Sequence, residues 1–141
     1  MKSALALGVA VALLATPIQA SAAPTAKETR LLRLVNATRM SRGLKPLAVR
    51  SDLLRMAHRH SAQMARQGLL FHTSCLSCRF PSGSWQALAE NVGMAGELHQ
   101  VHRLMMRSAA HRNNVLGGFD AIGIGVVNKG GRYWVTEIFF S

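Results

Sequence analysis

The chain is short of several things at once. Its 141 residues include two cysteines, one tyrosine and six acidic side chains, against seventeen lysines and arginines. A pair of cysteines cannot build the dense disulfide framework of small secreted scaffolds. The one long apolar run, from Ala4 to Ala15, is too short to span a bilayer. No basic run reaches five residues and the aromatics do not interleave with the arginines, which argues against a nucleic-acid platform. There is no internal repeat and no low-complexity linker, so one domain is the expectation.

The N-terminal segment has the parts of a secretory signal. Lys2 supplies a positive start, Ala4 to Ala15 the apolar run, and Ala20-Ser21-Ala22 a small-residue cleavage site. The expected division is a cleaved signal peptide over 1–22 and a single domain over 23–141, secreted to the exterior or the cell envelope. Loss of Lys2 leaves 16 basic against 6 acidic side chains, a formal +10. A field of that sign concentrates a protein at anionic envelope polymers or acidic lipids, without specifying either. No specific nucleic-acid partner is expected, and the protein is read as a monomer.

Helices come early and strands late. Leu31, Leu34, Val35 and Thr38 recur at helical spacing between Thr25 and Arg42, with Lys27, Arg30, Arg33 and Arg39 on the polar side. Gly43 closes that helix, and Leu44-Lys45-Pro46-Leu47 is an extended connector. Ser51 or Asp52 caps a second helix with the stripe Leu53, Leu54, Ala57, Ser61, Met64 and Ala65, ended by Gly68. Of His58 and His60 within it, one is read as a structural partner. Trp85 to Met94 finishes as a strand, and Glu97 to Arg107 is a third helix that delivers His111. Strand 121–128 puts Ile122, Ile124 and Val126 on one face and Gly123, Gly125 and Val127 on the other, where glycines let a neighbour come close. A turn at Asn128-Lys129-Gly130-Gly131 leads to the apolar strand 132–140. The pattern is α+β with helices packed on an antiparallel sheet.

Two histidines sit where helices give way to loops: His72 after Leu69-Leu70-Phe71, and His111 ahead of Asn113-Asn114 and Gly117-Gly118. Glu90 lies among apolar neighbours in a strand, where a carboxylate needs a partner. Two imidazoles and a carboxylate suit Zn²⁺ in an open site, though no pair of the three stands at a ligand spacing. His99 and His102, with Glu97, could hold a metal on a helix surface, but a solvated polar face is the better reading. Trp85 and Trp134 read as core aromatics. Cys75 and Cys78, in an exported protein, pair or, if reduced, join His72 as zinc ligands; the strand–helix setting of a redox CxxC is missing.

The ordered set is more specific than any member of it. Leu53, Ala57, His60-Ser61 and Met64-Ala65 are followed by Gly68 and His72, then Glu90-Asn91-Val92-Gly93. Ser108, His111-Arg112 and Asn114-Val115-Leu116 come next, ahead of Ile122-Gly123-Ile124-Gly125-Val126 and Trp134-Val135-Thr136. This order resembles the CAP superfamily: the cysteine-rich secretory, antigen five and pathogenesis-related-one proteins, or SCP domains. The chain looks like a short bacterial member over about Ala26 to Phe140. The resemblance implies a three-layer α-β-α sandwich around a small antiparallel sheet, and an open cleft where His72, Glu90, Ser108 and His111 meet. In members with a full tetrad, two histidines and two glutamates line that cleft and the histidines can hold a divalent metal. His72 and His111 match the histidines and Glu90 one glutamate; Ser108 stands where the second is expected, and Met105 where a tryptophan is often found. The missing carboxylate implies a weak, water-completed metal site. A binding or interaction module is therefore expected. The alternatives are a metal-dependent hydrolase with Glu90 as base, acting on peptide, ester or cell-wall substrates, or a lipid- or sterol-binding protein with a groove near Trp85, Phe71 and Met94.

Overall fold

A computed structural model describes residues 23–141; the expected signal peptide over 1–22 lies outside the described residues. Helix α1 (Ala26–Met40) opens on a reciprocal cap: Thr25 accepts from the Glu28 backbone, and the Glu28 carboxylate accepts from the Thr25 N–H at 2.8 Å. Its buried stripe is Glu28, Leu31, Val35 and Arg39. Arg39 is thus a correction, since helical spacing alone put it on the polar side. Its guanidinium donates to the carbonyls of Lys45, Val115 and Gly117 at 2.8 Å and of Phe119 at 3.3 Å, standing in for water on backbone that would otherwise be buried unpaired.

The connector after α1 leads into strand β1 (Ala48–Val49), which pairs in parallel with β3 (Ala121–Lys129). Antiparallel pairing joins β3 to β4 (Arg132–Phe140) and β4 to β2 (Leu88–Ala95), giving the order β1-β3-β4-β2. The sheet is therefore mixed rather than wholly antiparallel. The extra strand is steered by Asn36, whose side-chain amide donates to Leu47 O and accepts from Leu47 N, pinning the connector beside the sheet.

Helix α2 (Ser51–Gln67) covers one face of the sheet. It starts at Ser51 with Arg50 in the cap position, one residue earlier than a Ser51 cap and two earlier than an Asp52 cap would place it, and Asp52 instead pairs with Arg50 at 2.6 Å. The approach is so close that a Cβ on Gly123 would lie 2.1 Å from the Leu53 carbonyl carbon, and one on Gly125 2.2 Å from that of Ala57. Here glycine is a requirement of packing. On the other face lie α1, α3 (Leu98–Arg107) and α4 (Ala109–Val115), whose Leu31, Val35, Val101, Met105 and Val115 close over Ile122, Ile124, Val126, Val135 and Phe139. The result is the expected three-layer sandwich. His102 differs from its expected polar face: it is buried and bonded to the Thr38 hydroxyl at 2.8 Å, whereas His99 stays outside with Glu97 at 3.0 Å.

Candidate functional site

Alternation along β2 turns Glu90, Val92 and Met94 toward α2, and Asn91, Gly93 and Ala95 toward α3. Glu90 therefore meets whatever follows α2. Gly68, in the left-handed conformation at φ 68°, stops that helix and releases the segment that carries His72. Within it, His72 Nδ1 lies 2.9 Å from Glu90 Oε1 and the Thr73 N–H donates to the same oxygen at 2.8 Å. The Thr73 hydroxyl donates to Oε2. With its side chain 5% exposed, Glu90 is a buried carboxylate held by three protein donors. A carboxylate only accepts, so Nδ1 of His72 carries the hydrogen. The ring is 60% exposed, and its Nε2 is not engaged by Glu90.

The fourth group at this carboxylate is His60, buried on α2 with Nδ1 3.1 Å from the Thr136 hydroxyl and 3.8 Å from Glu90 Oε2. Ser61 beside it reaches both Gly125 O and Thr136 Oγ1 at 2.9 Å. That reach depends on the missing side chain at Gly125. Burial lowers the His60 pKa, with Glu90 opposing and His72 adding to the effect. It is a neutral imidazole at neutral pH.

His111 lies on α4. The chain does not run through one helix to it: α3 ends at Ser108, which is extended at ψ 124°, and a separate short helix begins. An amide network fastens that helix to β2. Asn91 Nδ2 donates to His111 O at 3.2 Å and to Glu137 Oε2 at 3.1 Å, while Asn114 Nδ2 donates to Asn91 Oδ1 at 2.8 Å and Glu90 O at 3.4 Å. Burial first, and the neighbouring His72 second, push the His111 pKa below the ordinary imidazole value. His72 and His111 are thus electrostatic neighbours, and Glu90 engages the first of them.

The model of the CAP family, the cysteine-rich secretory protein family, matches residues 32–139. The chain belongs to the CAP family. It is 28% identical over 130 residues to the uncharacterised protein YkwD of Bacillus subtilis, a match that takes in 86% of this chain and 50% of that protein. The chain thus spans about half the length of this curated relative. Among solved structures, an outer surface protein of Borrelia burgdorferi is similar with TM-score 0.72 at 16% identity, covering 82% of this chain and 92% of that one. An extracellular SCP-domain protein of Bacillus anthracis gives 0.70 at 24% identity, over 81% of this chain and 40% of that one. At these identities the likeness is one of fold.

The other residues that the resemblance singles out are placed as follows. Ser108 sits in the turn between α3 and α4 and makes no side-chain capping bond. Met105 is core, its Cε 3.0 Å from where a Gly93 Cβ would be. Cys75 and Cys78 form a disulfide, with Cα atoms 5.3 Å apart, across the loop that follows His72. Phe71 and Met94 pack on Met64, Ala65, Val92 and the buried Trp134, a cluster that does not include Trp85.

Sequence reasoning gave no place at the site to His60, Thr136, Asn91, Asn114 or Glu137, although the first four stand in the ordered set of residues. His60 had a usable signal, because it continues the stripe Leu53-Ala57-Ser61 along the buried face of α2. Glu137 had one as well, being a carboxyl in an otherwise apolar strand. It is fully buried, its Oε1 has no partner among the described residues, and burial raises its pKa to about 7 against the opposing hydrogen bond from Asn91.

Proposed function

We propose that this is an exported CAP-domain protein that works as a binding module, at the cell envelope or outside it. Its cleft presents His72 Nε2 and His111 to a polar ligand or a weakly held divalent cation. The observation that carries this reading is the engagement of Glu90. Three donors from His72 and Thr73 occupy its carboxylate, so it orients an imidazole instead of standing free to take a proton from water. The formal charge of +10 that remains after loss of Lys2 favours accumulation at anionic envelope polymers or acidic lipids.

The donor set fits a cation such as Zn²⁺ loosely. A histidine that gives its Nδ1–H to a carboxylate is the usual supporting arrangement of a metal ligand. Among the described residues, however, no three His, Cys, Asp or Glu side chains are grouped to share an ion. His72 and His111 would hold it, and the bound ion would polarise a ligand oxygen.

Glu90→Gln separates this reading from metal-dependent hydrolysis. The amide cannot accept from all three donors without turning its NH₂ toward one of them, so His72 loses its alignment. Zn²⁺ affinity is expected to fall about 10- to 100-fold, with no turnover of peptide, ester or cell-wall substrates by either protein. Retained Zn²⁺ affinity together with loss of a measurable turnover would establish the hydrolase instead.

A further inference from the structure

The outer side of α2 and the loop beside it carry arginines with no acid to meet them. Arg55, Arg59 and Arg79 are exposed, and none is ion-paired among the described residues. The six acids of the chain are placed elsewhere: Glu28 with His58, Asp52 with Arg50, Glu90 with His72, Glu97 with His99, Asp120 near Arg39, and Glu137 in the core. Arg55 and Arg59, four residues apart, stand on one side of the helix about 6 Å from each other along its axis.

Two cavities flank Arg59. The first, of about 300 Å³, lies where α1 begins against α2 and is lined by Thr25, Glu28, Leu54, Arg55, His58 and Arg59. The second, of about 150 Å³, lies between α2 and the loop after His72 and is lined by Met56, Arg59, His60, Gln63, Thr73 and Arg79. Each wall thus holds two guanidiniums, and Arg59 belongs to both. Glu28 is the one acid in either wall. It is buried, and its carboxylate accepts from Thr25 N–H at 2.8 Å, His58 Nδ1–H at 3.0 Å and Val126 N–H at 3.3 Å. Two cations against one engaged carboxylate leave that wall positive. Arg79 is set in place by its loop: Leu76 and Phe80 pack on Leu53 and Ala57, Cys75–Cys78 closes the turn, and the Arg79 N–H donates to Leu76 O at 3.1 Å.

Adjacent cups that share a cation suit a molecule whose acidic groups repeat along a chain. The chain must bend over Arg59 between one group and the next, which a flexible acyclic backbone does more readily than one of linked rings. No Phe, Tyr or Trp lines either cavity, so neither offers a base a face to stack on. Guanidiniums donate and never accept, so a linkage that brings only acceptor oxygens, such as a phosphodiester, suits these walls better than a polyamide with N–H groups of its own. We propose that this surface binds an acyclic phosphodiester polymer, with successive phosphates in the two cavities and Arg59 shared between them. The inference deepens the envelope-directed reading above, on which it rests for where such a polymer is met, and uses neither His72 nor His111.

The test is calorimetry on the oxidised chain 23–141 at fixed salt, with poly(glycerol phosphate) as the probe. Glycerol phosphate, polyglutamate and single-stranded DNA, the polymers matched in charge, are the comparators. Poly(glycerol phosphate) is expected to bind more tightly than all three. Arg55→Gln/Arg79→Gln weakens it about tenfold or more, whereas Arg103→Gln/Arg107→Gln, which removes the same charge from exposed positions on α3, leaves it nearly unchanged. Arg59→Gln costs more than Arg55→Gln or Arg79→Gln alone. An unchanged thermal midpoint shows that each variant is folded. Zn²⁺ titration of Arg59→Gln matches the wild type, and His72→Ala/His111→Ala binds the polymer as the wild type does, so failure of this inference and failure of the histidine reading are told apart. Four results overturn the proposal: no binding of poly(glycerol phosphate), equal binding of polyglutamate or DNA, an equal loss in the α3 variant, or a loss at Arg59 no greater than at its neighbours.

Discussion

Replacing Glu137 by glutamine changes the pH dependence of stability in a way the structure specifies. The carboxyl is fully buried, with one hydrogen bond from Asn91 and one oxygen unpartnered, and its pKa stands at about 7 against an ordinary 4.5. In the folded chain it therefore keeps a proton that the unfolded chain has already released. The resulting stability is fully present below the unfolded value and is lost as pH rises through the folded one. Between 4.5 and about 7 the gap is roughly two and a half pH units, which at about 1.4 kcal/mol each comes to about 3 kcal/mol. Glutamine is neutral throughout and keeps an oxygen for the Asn91 amide. Urea denaturation of the oxidised protein and of Glu137→Gln, followed in parallel from about pH 4 to pH 8, isolates the effect, because other titrating groups cancel in the difference. The variant should gain on the wild type by about 3 kcal/mol across that range, whatever the offset at the acid end. A difference that stays flat with pH would refute the reasoning, since the carboxyl would then ionise alike in both states.

Further outcomes follow from the packing. Arg39→Met strands four backbone carbonyls now served by one guanidinium and should cost about 3 kcal/mol or more in urea denaturation; a loss below about 1 kcal/mol would mean that water replaces the arginine easily. Gly125→Ala places a methyl group 2.2 Å from the Ala57 carbonyl carbon, so α2 must move off the sheet and the thermal midpoint must drop; the expected cost is about 1–3 kcal/mol or more. Because Ser61 reaches Gly125 O across the same gap, His60 should shift in the imidazole NMR spectrum of that variant. Reducing Cys75–Cys78 opens only a short loop, and should lower global stability by about 2 kcal/mol at most while loosening hydrogen exchange around His72.

The parts of the fold legible in the sequence were those written as spacing. The alternation from Ile122 to Val127 assigned both faces of β3 correctly, and the glycines on one face announced the close approach of α2. Periodicity has no way to register a partner, however. Arg39, Glu28 and His102 count as polar in any pattern, yet each is buried because a distant group completes it: loop carbonyls for Arg39, the Thr25 and Val126 backbone with His58 for Glu28, and Thr38 for His102. The helix read over Glu97 to Arg107 ends where α3 does, but the break at Ser108 carries no proline or glycine, so the separate short helix α4 had no signal of its own. Of the candidate site, the boundary positions of His72 and His111 were visible, while the amide network that fastens His111 to β2 joins residues up to 46 apart and has no local signature.

The central claim is that His72 and His111 present their imidazoles to one shared ligand space. Titrating the metal-stripped chain 23–141 with Zn²⁺ by calorimetry, beside a His72→Ala/His111→Ala double variant with its disulfide verified by mass, tests it most directly. The account predicts weak one-site binding that disappears in the variant. Binding that persists unchanged in the variant, or no binding to either protein, would contradict it.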